Sequence, residues 1–352
     1  MQPRPSTITA VLACAQPVLR IIKNAGHEGR LVGGCVRDAL LNHTTSDIDI
    51  AIDVPPEQTI DIFKITGLKV IPTGLVHGTV TVIHNETPFE ITSLRQDVAT
   101  DGRHAIVKFT KSWEADAARR DFTINALYAN DRGQIFDYFD GQADLVRGIV
   151  RFIGDPQARI SEDNLRILRF YRFALGFSRA DENGFFELDE PSLKAVHENV
   201  KLLRNLSKER IQSELFKILE NPSVIKILHI MPNVFETLFN RPPDLMLGRK
   251  LMSISNSFSR KLNCRSVPLL NLFAIYPQNV MGIECSLKLS REQVKFLRAV
   301  SEMKDISFST TNLLAIRIKY GDDIARGWAD VRTAMGDMLP VESFDSIVPQ
   351  FP

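Results

Sequence analysis

No apolar run in the 352 residues approaches the roughly 18 needed to cross a bilayer, so no membrane span is expected. The N-terminus lacks a basic stretch followed by an apolar core and a small-residue cleavage site, so no targeting signal is expected either. Cysteine is scarce: Cys14, Cys35, Cys264 and Cys285 stand apart with no C-x-x-C pair. That spacing argues against a structural zinc site and against a secreted disulfide framework, and it fits a reducing, cytoplasmic setting. There is no internal repeat and no low-complexity tract. A large charge of either sign is also missing, because the total is +1, and so the chain as a whole makes no electrostatic case for nucleic acid. That total divides into −3 over residues 1–140 and +4 beyond, an acidic front suited to cations and a mildly basic rear suited to phosphates.

What is present is enough apolar residue, 44%, to bury a real core and more than one domain. Periodicity divides the chain into a mixed α/β front of about 140 residues and an all-helical rear reaching about residue 335. In the front, Ile8 to Ile22 reads as helix, Arg30 to Val32 as strand and Val36 to Leu41 as short helix. Asp47 to Ile52 alternates as a strand, and Pro55-Pro56 opens a helix to about Ile65. Gly78 to His84 and Phe89 to Leu94 read as a hairpin and Arg95 to His104 as a polar loop. The stretch from Ser112 reads as helical and Gln134 to Phe139 as a last strand. In the rear, Ser161 is placed as the N-cap of an amphipathic helix ending at Gly176, and Ser207 as the cap of another.

Asp47-Ile48-Asp49 is the strongest local signal. On a strand both carboxylates share one face while Ile48 and Ile50 turn to the core, so two hard oxygen ligands are offered together, as Mg²⁺ prefers. A bare D-x-D is also consistent with a solvated strand face. Gly33-Gly34, between a strand and a helix ten-odd residues earlier, lets backbone N–H groups approach phosphate, with Arg37 as a fork for its oxygens; separately these also read as a tight turn and an exposed Arg37-Asp38 pair. Glu90, on a nearby strand, is a candidate third acidic group or a solvent-facing residue. Arg120, Asp121 and Asn125 lie before an apolar segment read as a helix, where Asp121 either caps it or joins Asn125 near a ribose, with Arg120 near phosphates. Asp163 and Arg166 are expected at i, i+3 on one helix face, with Glu162 and Arg166 at i, i+4. That arrangement serves either as a surface ion pair or as an acceptor and donor for a nucleobase edge.

In this order the segments resemble the class II tRNA nucleotidyltransferases, the CCA-adding enzymes related to bacterial poly(A) polymerases. Gly33-Gly34-x-x-Arg37-Asp38 with Asp47-x-Asp49 resembles the family's metal and triphosphate motif, and Arg119 to Ala126 its ribose-selecting motif. Asp137-x-x-x-Gly141-x-x-Asp144 with Arg151 resembles the hinge motif, and Leu206 to Glu214 the neck-supporting motif. Glu162-Asp163-x-x-Arg166 resembles the amino-acid template that selects CTP and ATP, which Arg169 follows. Asp101-Gly102-Arg103 lies where the family has the loop implicated in the switch to A addition. The resemblance implies an α+β fold: a polymerase-β-like nucleotidyltransferase head over residues 1–140, a helical neck over 141–220, and a body with a shortened tail over 221–352. It implies catalytic Asp47, Asp49 and Glu90, with Mg²⁺ on the two aspartates. Nucleotide would be bound by Gly33, Gly34, Arg37, Arg120, Asp121, Asn125, Asp163, Arg166 and Arg169. The expected partners are CTP, ATP and a tRNA 3′ end, with neither membrane nor protein partner. A poly(A) polymerase of the same family and a non-catalytic RNA-binding relative remain alternatives.

Overall fold

The computed structural model describes residues 7–45, 47–100, 105–179, 186–221, 223–228, 230–243, 267–276, 279–306 and 309–334. These form two compact units. The first holds the residues up to Arg166, with Phe177–Arg179 and Glu187–Val196; the second holds Ile167–Gly176, Phe186 and the described residues from His197 onward.

The first unit opens with α1 (Ile8–Asn24), started by the Thr7 hydroxyl, which accepts the Ala10 N–H at 3.2 Å. Its apolar stripe buries Val11, Ala15, Val18, Leu19 and Ile22. β1 (Gly29–Val32) leads through the Gly-Gly turn into α2 (Gly34–Leu40), followed by β2 (Ile48–Ile52), α3 (Pro56–Lys64) and β3 (Lys69–Gly74). β4 (Thr79–His84) and β5 (Thr87–Ser93) form the expected hairpin, turned by Asn85 and Glu86, both at positive φ as a tight two-residue turn requires. After α4 (Trp113–Ala118), β8 (Leu127–Ala129) and β9 (Ile135–Asp137) complete a seven-stranded sheet of order β3-β4-β5-β2-β1-β8-β9. β2 and β5 run parallel and the other neighbours antiparallel, the mixed sheet expected. Val32, Ala51 and Tyr128 share a buried cluster with Leu94, Ala117, Ala126 and Ile153, against which Trp113 and Phe139 pack.

Three local expectations need correction. The stretch read as a polar loop from Arg95 contains β6 (Arg95–Thr100), paired with β7 (Ala105–Phe109) in a separate two-stranded sheet. Asp101 to Arg103, the loop segment, lies outside the described residues. The segment after Asp121 is a 3₁₀ turn (Thr123–Asn125) and then β8, not a helix; β1 and β9 on either side supply the ladder bonds that override its alanine content. Ser161 caps nothing. Asp155 caps α6 (Pro156–Glu162), the chain is extended at Asp163, and α7 (Arg166–Phe177) begins afterwards.

The segment resembling a hinge is heavily braced. Asp137 accepts the N–H groups of Gly141 (2.9 Å) and Gln142 (2.8 Å) at the start of α5 (Gly141–Arg147). Buried Asp144 accepts from the Thr123 hydroxyl at 2.6 Å and from Arg151 at 2.9 and 3.0 Å. Gly141 lies so close to the 3₁₀ turn that a Cβ there would stand 2.2 Å from the Thr123 carbonyl oxygen. Gly141→Ala is therefore expected to cost about 1–3 kcal/mol or more, because the obstacle is backbone. Thermal unfolding of the variant checks this, and an unchanged midpoint would contradict the packing described.

α8 (Glu190–Asn199) follows α7, and the second unit is built from Ile167–Gly176 of α7 with α9 (Lys208–Leu219), α10 (Val224–Leu228) and α11 (Pro232–Phe239). α12 (Val267–Ile275), α13 (Val280–Ser286), α14 (Arg291–Met303), α15 (Thr310–Tyr320) and α16 (Asp322–Ala334) complete it. Ser207 caps α9, as expected, accepting the Arg210 N–H. Glu214, 4% exposed, is the polar anchor of this unit: it receives Arg172 at 2.6 Å and Lys217 at 3.3 Å, with Arg169 at 4.0 Å. The stretch after Ala334, where a shortened tail was expected, lies outside the described residues. Among those described, no helix is long and apolar enough to cross a membrane.

Candidate active site

The register of β1 on β2 pairs Leu31 with Ile50, so the turn two residues beyond Leu31 stands beside the end of β2 that carries the aspartates. β5 runs parallel on the other side of β2 and sets Glu90 directly abreast of Asp49. Ile48, Ile50 and Ile52 are buried, while Asp47 and Glu90 are exposed and Asp49 is intermediate, as the period-two pattern requires. Asp49 shares its face with Ala51, a member of the buried cluster, and so sits at the margin between that cluster and solvent. The consequence is electrostatic. Burial first, then the charges of Glu90 and Asp47, push the Asp49 carboxyl up to about 6, against a lowering pull from Arg120.

The crowded carboxylates define a place where a cation is favourable. Among the described residues no group of three or more His, Cys, Asp or Glu closes on one ion. Two aspartates, completed by phosphate and water oxygens, are nevertheless the kind of donor set that Mg²⁺ takes, since it demands few protein ligands. The raised Asp49 carboxyl has a consequence without any ion. An acid whose folded value lies above its unfolded 3.8 holds its proton longer in the native state, so stability falls as pH rises from about 4 to about 6. Asp49→Asn removes that penalty. It is expected to unfold at a higher temperature than the wild type above pH 6 without divalent ions, with the gap closing below about pH 4. Calorimetry across that range checks the sign.

Gly33, at φ 71°, caps α2, and its N–H donates to the Leu127 carbonyl at 3.0 Å. A Cβ there would be 3.2 Å from an Arg120 guanidinium nitrogen, so that cation lies against the turn as well as acting on Asp49. Arg120 is held from behind by the Tyr128 hydroxyl (3.2 Å) and Asp116 (3.3 Å). Tyr128 also donates to Asp116 at 2.7 Å. Arg119 bonds the same carboxylate at 2.9 Å, as does the Arg95 N–H at 3.2 Å. Asp116 is 1% exposed. Despite the cost of its burial, the Arg120 and Arg119 guanidiniums and the Tyr128 hydroxyl hold its carboxyl below the usual range. Sequence reasoning missed this residue, although its i, i+3 and i, i+4 spacing to the two arginines was visible.

The structure gives Arg37 a different setting from an exposed phosphate fork. It is 8% exposed, bonds Asp38 at 2.9 Å and the Asn125 side-chain carbonyl, and lies over the Phe177 ring at 4.3 Å. The Asn125 amide in turn donates to Asp121 at 3.0 Å, and Asp121 also accepts the Phe122 N–H at 2.9 Å. The turn and the segment from Asp121 to Asn125 are thus one hydrogen-bonded piece.

Asp163 and Arg166 do not share a helix face, because the chain between them is not helical. The Asp163 carboxylate accepts the Leu165 N–H at 3.1 Å, while Arg166 bonds Glu162 at 2.6 Å and the Arg159 carbonyl at 2.8 Å. Arg169, one turn into α7, pairs with Glu214 in the helical unit.

Central strands of the sheet thus set Asp49 and Glu90 side by side, with Asp47 just ahead, next to a Gly-Gly turn and the half-buried Arg119 and Arg120, an arrangement suited to nucleotidyl transfer. Residues 29–151 match the family described as poly A polymerase head domain, and residues 185–234 the probable RNA and SrmB-binding site of polymerase A. The CCA-adding enzyme of Streptococcus gordonii is 42% identical over 97% of this chain and 85% of its own length. The mitochondrial CCA tRNA nucleotidyltransferase 1 of Mus musculus is 45% identical over 81% of this chain. This chain spans 65% of the length of that relative. Among solved structures, the Bacillus stearothermophilus CCA-adding enzyme in complex with CTP superposes with a TM-score of 0.77 at 27% identity, covering 96% of this chain and 81% of the other. The chain belongs to the CCA-adding enzyme family, and its α+β fold, with a polymerase-β-like head and helical remainder, is that family's.

Proposed function

We propose that this protein is a CCA tRNA nucleotidyltransferase, joining C, C and A in turn to a tRNA 3′ end from CTP and ATP with release of pyrophosphate. The observation that carries the proposal is the placement of Asp49 abreast of Glu90 beside the Gly33 turn, in a chain 42% identical to a CCA-adding enzyme over nearly its whole length. In this reading residues 1–140 are the catalytic head, 141–220 the neck and 221–352 the body and tail that meet tRNA. The setting is the cytoplasm, in keeping with free Cys14, Cys35 and Cys285.

Asp47 and Asp49 would hold Mg²⁺, with Glu90 reinforcing the negative field around them. The ion, when bound, neutralises phosphate charge and lowers the pKa of a hydroxyl that it touches. The chain's own contribution is placement. The Gly33-Gly34 turn leaves room for phosphate oxygens close to backbone, and Arg120 adds a fixed positive charge at that turn. Arg37 works from behind, holding Asn125 and through it Asp121 where a ribose would lie. Asp163 and Arg166 present an acceptor and a donor to the base. Reaction by two reactants held in line needs little covalent help, so positioning and charge carry most of the rate.

The test is to offer tRNA lacking its 3′ terminus each NTP alone. CTP is expected to add two residues, and ATP to add only after them. Long tails from ATP with no use of CTP would make the protein a poly(A) polymerase of the same family, and no incorporation of any nucleotide would make it a binding relative.

A further inference from the structure

Arg159 lies in none of the motifs named so far, yet it is 8% exposed and ties the base-selecting segment to a distant part of the chain. One terminal nitrogen bonds Glu162 at 2.5 Å; the other bonds the carbonyl oxygens of Arg119 and Arg120, each at 2.5 Å, some 40 residues away in sequence. Arg166 converges on the same Glu162 oxygen at 2.6 Å and reaches the Arg119 carbonyl at 3.4 Å. Two guanidiniums thus share one carboxylate, which offsets their mutual repulsion. Residues 163–165 have no helical ladder of their own. This set of bonds helps to fix them, together with the local ones from the Leu165 N–H to the Asp163 carboxylate and from the Arg166 N–H to the Asp163 carbonyl at 3.0 Å.

At the far end of the link, the Arg119 and Arg120 side chains are both tied to Asp116. A continuous path of direct bonds therefore runs from the Asp163–Arg166 segment, through the Arg159 fork, to the backbone of the arginine that lies against Gly33 and acts on Asp49.

We infer that Arg159 is a positioning residue for base selection, registering the Asp163–Arg166 segment against the backbone that carries Arg120. The inference rests on the reading of Asp163 and Arg166 as the base-selecting pair. Only arginine fits this task. A lysine keeps the charge but offers a single nitrogen, which cannot span a carboxylate on one side and two carbonyls on the other. Discrimination between bases depends on an acceptor and a donor fixed to a fraction of an ångström, and a shift of about 1 Å costs on the order of 10²-fold. Loosening the fork should therefore harm selection before it harms chemistry.

The experiment uses the full chain carrying Arg159→Lys or Glu162→Gln, with Arg166→Ala as reference. It measures kcat and KM for CTP, ATP, UTP and GTP on tRNA substrates, together with the thermal midpoint. For Arg159→Lys the account expects discrimination against UTP and GTP to fall about tenfold or more, through a raised KM for CTP and ATP with kcat less affected. Glu162→Gln should move the same way and serves alone if the lysine variant does not fold. Equal slowing with all four nucleotides, or unchanged discrimination in the folded variants while Arg166→Ala alters it, overturns the inference and leaves the base-selecting pair standing. Unchanged discrimination in Arg166→Ala as well overturns the pair itself, and this inference with it.

Discussion

Replacing Asp49 by alanine is expected to lower kcat for nucleotide addition by about 10³-fold or more, with the fold intact. The figure follows from the several kcal/mol that a bound cation supplies to a phosphoryl-type transition state, nearly all of it lost when one of two protein ligands is removed. Asp47→Ala should behave similarly, since Asp47 stands two residues before Asp49, directly ahead of β2. The effects of the two changes should not add, because a site that has lost its ion has little left to lose. Steady-state kinetics with saturating tRNA and CTP, alongside thermal unfolding, checks this. Near-normal turnover in either single variant would show that the chemistry lies elsewhere. Structural damage is a weak competing explanation, because Asp49 carries a burial and like-charge penalty that its removal relieves.

Asp116→Ala should give the largest loss of stability. The side chain is 1% exposed and collects Arg119, Arg120, Tyr128 and the Arg95 N–H. Removing it leaves two partly buried guanidiniums and a buried hydroxyl facing one another, and breaking a buried ion pair in this way costs about 3–5 kcal/mol. The pH dependence has a definite sign. A carboxyl held below its unfolded value stabilises at all pH above about 4, and that contribution is lost as pH falls through the folded value. The gap between wild type and variant should therefore be full at neutral pH and shrink in acid. Denaturant unfolding at pH 7 and below pH 4 measures it, and a loss under about 1 kcal/mol at pH 7 would show that the arginines find other partners. Activity should fall as well, because Arg120 loses the contact that holds it against the Gly33 turn.

Much of the head could be read in the sequence because its signals are local. Alternation in Asp47 to Ile52 fixes which side chains share a face, and the Gly33-Gly34 pair marks a turn that needs positive φ. Ser207 announces a helix start by its own hydroxyl. The break at Asp163 could not be read in this way. Apolar residues recur at helical spacing from Leu165 to Leu175, and Ser161 to Leu175 holds no glycine or proline, so the pattern reads as one helix from a Ser161 cap. What ends α6 is tertiary: Arg159 and Arg166 are drawn to carbonyls of a segment about 40 residues earlier, and Asp163 turns back on the Leu165 N–H. β8 is similar, a three-residue strand that exists because β1 and β9 flank it. β6 was hidden by its polar composition, since it pairs with β7 alone. Arg37 shows the same limit: its pairing with neighbouring Asp38 was legible from adjacency, whereas its burial and its bond to Asn125, 88 residues away, were not.

The most direct test of the central claim is the identity of the product. tRNA lacking its terminal trinucleotide should be incubated with Mg²⁺, CTP and ATP together, and the 3′ ends sequenced. The account predicts growth by three nucleotides, C-C-A, followed by arrest, in the wild type and not in Asp49→Ala. A heterogeneous run of A residues, or the same product from Asp49→Ala, would contradict it.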